Sequence, residues 1–122
     1  MNTTTHTDDS TRAYLQGLSL LYVEDDEEMR ILLGDFLQRR VGTLLTASNG
    51  REGLALFREY RPDMVITDIL MQDVDGLSLV EAIRQTDPHI PIIITSSSCW
   101  GYSQIVPRKC VVINFFFFLL YY

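Results

Sequence analysis

The stretch "DMVITDILMQDVDG", Asp63 to Gly76, decides how the rest of the chain is read. A short run rich in β-branched residues ends on Asp68, and Asp73 and Asp75 follow in a segment that closes at Gly76. Val, Ile and Thr suit a pleated strand, whereas Asp and Gly mark turns. Asp68 thus stands where a strand ends, while Asp73 and Asp75 read as turn formers. Alone, a strand-end aspartate is ordinary polar punctuation. Its meaning depends on what else reaches the same place.

Working outward, the same unit recurs. "LSLLYV" (Leu18–Val23) is a compact apolar run that stops at Glu24-Asp25-Asp26, as a buried strand would. Asp26 suits the cap of a following helix, with Glu27 and Glu28 favourable in its first turn. Met29, Leu32, Leu33, Phe36 and Leu37 recur at helical spacing and define one face. Val41-Gly42 ends that helix, and "TLLTA" (Thr43–Ala47) is a second strand. After the turn "SNG", a helix spans Arg51 to Tyr60 with Leu54 and Phe57 inward. It stops at Arg61-Pro62, because a residue before proline leaves the α region. The strand ending in Asp68 comes third. A helix over Leu77–Gln85 buries Leu79, Val80 and Ile83, and "IIIT" (Ile92–Thr95) is the fourth strand.

Such an alternation with short connections predicts an α/β fold, a doubly wound parallel sheet with helices on both faces. Ligands in these folds sit outside the carboxyl ends of the strands. Glu24 and Asp25 end the first strand, Asp68 the third and Thr95 the fourth. One edge of one sheet therefore collects three carboxylates and a hydroxyl. Carboxylates at close range either raise one another's pKa or recruit a cation. A hard-oxygen cluster partly open to water suits Mg²⁺, and a metal beside a carboxylate nucleophile suits phosphoryl transfer. Thr95 could then donate to a phosphoryl oxygen.

Composition sets outer bounds. The chain has 122 residues, of which 47% are hydrophobic and 21% charged, which fits one globular domain. A net charge of −6 argues against direct nucleic-acid binding, which needs clustered Lys and Arg. Cys99 and Cys110 form neither a zinc pattern nor a disulfide scaffold, so a reduced, cytoplasmic setting is expected. Residues 1–14 read as a disordered polar leader without the apolar core of a secretory signal. His6 within that leader, and His89 in the turn "DPHIP", read as loop histidines rather than ligands. The longest apolar run, Val111 to Tyr122, falls short of the roughly 20 residues that a membrane-spanning helix needs.

At this point the residues resemble a family. "LLYVEDDEEMR" (Leu20–Arg30) is similar to the opening of response-regulator receiver domains, the acceptor modules of two-component signalling. "DMVITDILMQDVDG" resembles their phosphorylation loop, and "IPIIITS" (Ile90–Ser96) their fourth strand. The likeness covers about Leu18 to Ser96, with a core at residues 15–96. It implies a flavodoxin-like sheet of order 2-1-3-4-5. It also implies that Asp68 takes a phosphoryl group from a sensor histidine kinase or phosphotransfer protein. Glu24, Asp25 and Asp68 would bind Mg²⁺ together with the backbone carbonyl of Leu70. Thr95 would be the switch hydroxyl, and Gly76 would allow the turn into the third helix. Such a chain is a signalling phosphoacceptor rather than an enzyme. Its response would pass to a downstream protein or an output domain.

Two departures stand out. Gln72 follows Met71 where the family has proline. The Lys-Pro that receivers carry about 20 residues after the threonine is absent, because that count lands at Phe115 to Phe117. Lys109 is the nearest substitute. Residues 97–122 therefore read as an atypical segment, from a truncation or a shifted reading frame, with a fifth strand near Cys110–Phe118 and incomplete helices. Two other readings stay open: a degenerate receiver that serves only as a protein-interaction module, and an aspartate-nucleophile phosphohydrolase. The second would place an acid two residues after the nucleophile, where this chain has Leu70.

Overall fold

Among the described residues, five parallel strands carry the architecture: β1 (Ser19–Val23), β2 (Thr43–Ala47), β3 (Met64–Asp68), β4 (Ile92–Ser96) and β5 (Cys110–Asn114). Their order across the sheet is β2-β1-β3-β4-β5. Among the described residues four helices accompany them: α1 (Thr3–Gln16), α2 (Glu27–Gln38), α3 (Gly50–Tyr60) and α4 (Gly76–Thr86). The structure, a computed structural model, describes residues 3–69, 71, 76–96 and 110–114. Among the described residues no helix is long and apolar enough to cross a membrane.

The order agrees with the flavodoxin-like expectation, and handedness explains where the helices go. Connections between parallel strands are almost always right-handed. The chain steps one way from β1 to β2 and the other way from β2 to β3 and β4, so α2 takes one face and α3 and α4 the other. Among the described residues, the face under α3 and α4 carries the main buried apolar cluster. Val23, Val65, Ile94, Leu79 and Ile83 are fully buried there, and Phe57 nearly so. Alternation along each strand delivers one such residue in two to this core.

Local chemistry sets the helix ends. The Asp26 carboxylate accepts from the Met29 amide at 3.0 Å and caps α2, as expected. Asn49 caps α3 through the Glu52 amide at 2.8 Å, while Glu52 reaches back to the Ser48 amide at 3.0 Å. At the far end of α3, Arg61 adopts the left-handed conformation (φ 48°), because Pro62 disfavours another helical residue before it. On α2 the packed face is narrower than the apolar stripe. Leu33 is buried, but Leu32 is 60% exposed.

The amino-terminal segment corrects the sequence reading. Residues 1–14, expected as a disordered leader, fall largely within α1. Thr-rich sequence has weak helix propensity, so a tertiary anchor outweighs it. The Gly42 amide donates to the carbonyls of Leu15 and Leu18, both at 3.0 Å, and ties the end of α1 to the entry of β2. A Cβ at Gly42 would collide with the Gln16 carbonyl oxygen, so only glycine allows this approach. The fifth strand expected near Cys110–Phe118 is present as Cys110–Asn114.

Gly42→Ala should therefore cost about 1–3 kcal/mol through overpacking. Urea unfolding with far-ultraviolet circular dichroism would show a lower midpoint and less helix. An unchanged midpoint would contradict the anchor.

Candidate functional site

Parallel register assembles the site. Val23 of β1 pairs with Thr67 of β3, so the next residues, Glu24 and Asp68, emerge level with one another at the carboxyl edge. Asp68 in turn pairs with Thr95 of β4. One carboxylate oxygen each from Glu24, Asp25 and Asp68 lies within 4.8 Å of the others. The residues that the sequence placed at one edge thus do come together. Leu70, Asp73, Asp75 and Lys109 lie outside the described residues. Cys110, the chain neighbour of Lys109, pairs with Ile92 at the amino end of β4, whereas Ile113 and Asn114 pair with Thr95 and Ser96 at the site edge.

The cluster is electrostatically tense. Glu24 is only 6% exposed. Burial, with the neighbouring Asp68 carboxylate next in size, pushes its pKa from the ordinary 4.5 up to about 7. The Asp26 amide donates to Glu24 Oε1 at 3.2 Å and partly opposes that rise. Three hard oxygen donors and little else suit Mg²⁺, whose ligands at 2.0–2.1 Å stand about 2.9–4.2 Å apart in an octahedron. Donors within 4.8 Å reach that spacing by a small side-chain movement. The residues present fit the cation.

Further groups hold the acids in place, one of them, Arg30, given no role from the sequence. Arg30, one turn after Asp26, donates from Nη1 to the Glu24 carbonyl at 2.8 Å. The spacing of Arg30 from the acidic triplet was the available signal. Gly76 does more than permit a turn. A Cβ there would strike the Asp68 carbonyl oxygen, so the start of α4 rests directly against the strand end. Its amide donates to the Ile69 carbonyl at 3.1 Å. The Thr95 hydroxyl donates to the Thr67 carbonyl at 3.4 Å, a long and therefore weak bond.

With this geometry in view, comparison with known proteins is decisive. The response regulator receiver domain family matches residues 20–100. The chain belongs to that family. It is 39% identical over 79 residues to the transcriptional regulatory protein AfsQ1 of Streptomyces coelicolor, covering 65% of this chain and 35% of that one. To the transcriptional regulatory protein GlrR of Escherichia coli it is 36% identical over 78 residues, covering 64% and 18%. The chain thus spans about a third or less of the length of these relatives. Among solved structures, response regulator TrrA of Thermotoga maritima, in complex with Mg²⁺ and BeF, is 31% identical. It superposes with a TM-score of 0.68 over 84% of this chain and 91% of that one. Chemotaxis protein CheY4 of Vibrio cholerae, at 24% identity, shares the fold with a TM-score of 0.73, over 81% of this receiver and 87% of CheY4.

The raised Glu24 pKa has a definite sign. The folded receiver holds this proton more tightly than the unfolded chain does, so stability declines as pH rises from about 4.5 to about 7. In metal-free buffer the unfolding free energy should fall by roughly 3 kcal/mol over that interval. Glu52 and Asp87, whose pKa values are lowered by hydrogen bonds, act in the opposite sense but at lower pH. Chemical denaturation at stepped pH would check this. Glu24→Gln should flatten the decline, and a wild-type curve already flat above pH 4.5 would contradict it.

Proposed function

We propose that this receiver is the phosphoacceptor of a two-component relay and takes a phosphoryl group onto Asp68 in an Mg²⁺-dependent reaction. The observation that carries the reading is the convergence of three carboxylate oxygens within 4.8 Å, on an edge where Asp68 pairs with Thr95. The donor is a phosphohistidine on a sensor histidine kinase or a phosphotransfer protein. The setting is cytoplasmic, and the response passes to a downstream protein or an output domain.

A carboxylate oxygen of Asp68 attacks phosphorus. The new O–P bond forms as the N–P bond of the phosphohistidine breaks, and the imidazole leaves with that electron pair. Glu24, Asp25 and Asp68 would hold the cation, and the family resemblance implies the Leu70 carbonyl as a further ligand. When bound there, the cation would supply neutralisation of charge on the phosphoryl oxygens. Arg30 fixes the Glu24 backbone, while the Asp26 amide steadies one oxygen of its carboxylate at the edge where the cation would sit. Asp68 emerges from a strand pinned on both sides, so the nucleophile needs little reorganisation. Thr95 supplies the readout. Its 3.4 Å bond to Thr67 is cheaply exchanged for a bond to a phosphoryl oxygen, and that exchange draws the end of β4 toward the site. The chain is a phosphoacceptor and not a turnover enzyme. Leu70 stands where a phosphohydrolase of this architecture would carry its second acid.

Incubation with a small-molecule phosphodonor and Mg²⁺ should add the mass of one phosphoryl group, read by intact-protein mass spectrometry. Asp68→Asn and chelation of the metal should each abolish the addition. No mass change in the wild type would defeat the proposal. Thr95→Ala should still accept phosphate, but the phosphorylation-dependent amide shifts near Ser96 should be lost. Persistence of those shifts would remove Thr95 from the readout.

A further inference from the structure

Tyr22 buries its hydroxyl beneath the acidic edge and bonds it to nothing among the described residues. The side chain is fully buried, and the phenol oxygen has no hydrogen-bond partner there. An unsatisfied buried hydroxyl is destabilising, whereas phenylalanine in the same place would bury only carbon. The fold of the metal-free chain thus supplies no reason for the oxygen.

Strand alternation places that oxygen. Leu21 and Val23 belong to the core under α3 and α4, so Tyr22 and Glu24 share the opposite face of β1. The ladder continues past Val23, because the Glu24 amide donates to the Ala47 carbonyl at 3.0 Å. Tyr22 pairs with Ile66 of β3, two residues before Asp68, so the ring lies one pleat below both acids. Two residues of strand rise about 6.6 Å, a length that a tyrosine side chain can span. The charges acting on the hydroxyl show which way it points. After burial itself, Glu24 and then Asp68 raise its proton affinity, Arg30 opposes the rise and Asp26 adds to it. All four belong to the acidic edge or the start of α2. The phenol is therefore aimed at that edge, and it stays protonated at neutral pH, a permanent donor.

Glu24 has use for a donor. Its carboxylate is almost enclosed, and the Asp26 amide reaches Oε1 at 3.2 Å, while Arg30 is spent on the Glu24 backbone carbonyl. An ionised carboxylate buried at a cation site gains from every further hydrogen bond. We propose that Tyr22 is a positioning residue of the cation site: with a divalent cation at the edge, its phenol donates to the Glu24 carboxylate, directly or across one ordered water, and fixes the orientation of that ligand. The inference rests on the cation site of the proposed function and deepens it.

Tyr22→Phe removes one oxygen and keeps the ring. In metal-free buffer the variant should be at least as stable to urea as the wild type, because an orphaned hydroxyl is gone. Its affinity for Mn²⁺, which takes the same oxygen ligands as Mg²⁺, should nevertheless fall about tenfold, the scale of one hydrogen bond to a charged group. The affinity is read from the broadening of amides 24–26 and 68–69. A hydroxyl that served packing alone would not weaken binding while leaving stability intact. In protein labelled at the tyrosine Cζ, Mg²⁺ should move the resonance that is missing from the Tyr22→Phe spectrum. Unchanged Mn²⁺ affinity, a stationary resonance, or a variant less stable without metal would each overturn the proposal. A wild type that binds no Mn²⁺ at these residues would instead defeat the cation site itself, and the role of Tyr22 with it.

Discussion

Parallel register between β1 and β3 sets Val23 beside Thr67, and the next residue on each strand is then a carboxylate. Like charges do not gather in this way without support. Glu24 is nearly enclosed and its proton affinity rises accordingly, which leaves the edge ready for either a proton or a cation. The rest of the domain holds the strand ends still. Asp26 caps α2 and offers its amide to Glu24, Arg30 grips the Glu24 carbonyl, and Gly76 brings α4 against Asp68. The dense core under α3 and α4 gives those contacts a rigid base.

Most of this was legible in the residues. Apolar runs halted by acids located the strands, and the 3.6-residue periodicity of Leu79, Val80 and Ile83 located α4. The site was visible because strand-end chemistry depends on order along the chain, which a parallel sheet converts into a shared edge. Three things were not legible. The helical state of residues 3–16 depends on a tertiary hydrogen bond from Gly42, which no local propensity encodes. The exposure of Leu32 depends on where α2 sits across the sheet, whereas its spacing alone implies burial. Arg30 acts through a backbone carbonyl, so its partner carries no side-chain signature.

Membership of the receiver family and the departures at the end of the chain meet in β5. The strand is present and in register, with Ile113 beside Thr95. Lysine does not occur at either of its site-edge positions, Ile113 and Asn114. A point charge at this edge would couple the phosphoryl group to the switch hydroxyl. On the proposed reading the hydroxyl of Thr95, on a long bond to Thr67, would carry more of that coupling. Acceptance of a phosphoryl group and transmission of its arrival are thus separable properties. On the proposed reading the acidic cluster would govern the first, and β4 with its neighbours the second.

The central claim is that Glu24, Asp25 and Asp68 form one cation site at the carboxyl edge of the sheet. Mn²⁺, which takes the same oxygen ligands as Mg²⁺ and broadens nearby nuclear resonances, tests it most directly. Titration into isotope-labelled protein should broaden the amides of residues 24–26, 68–69 and 95–96 first, and added Mg²⁺ should reverse the effect. Broadening centred elsewhere, or none at these residues, would contradict the account.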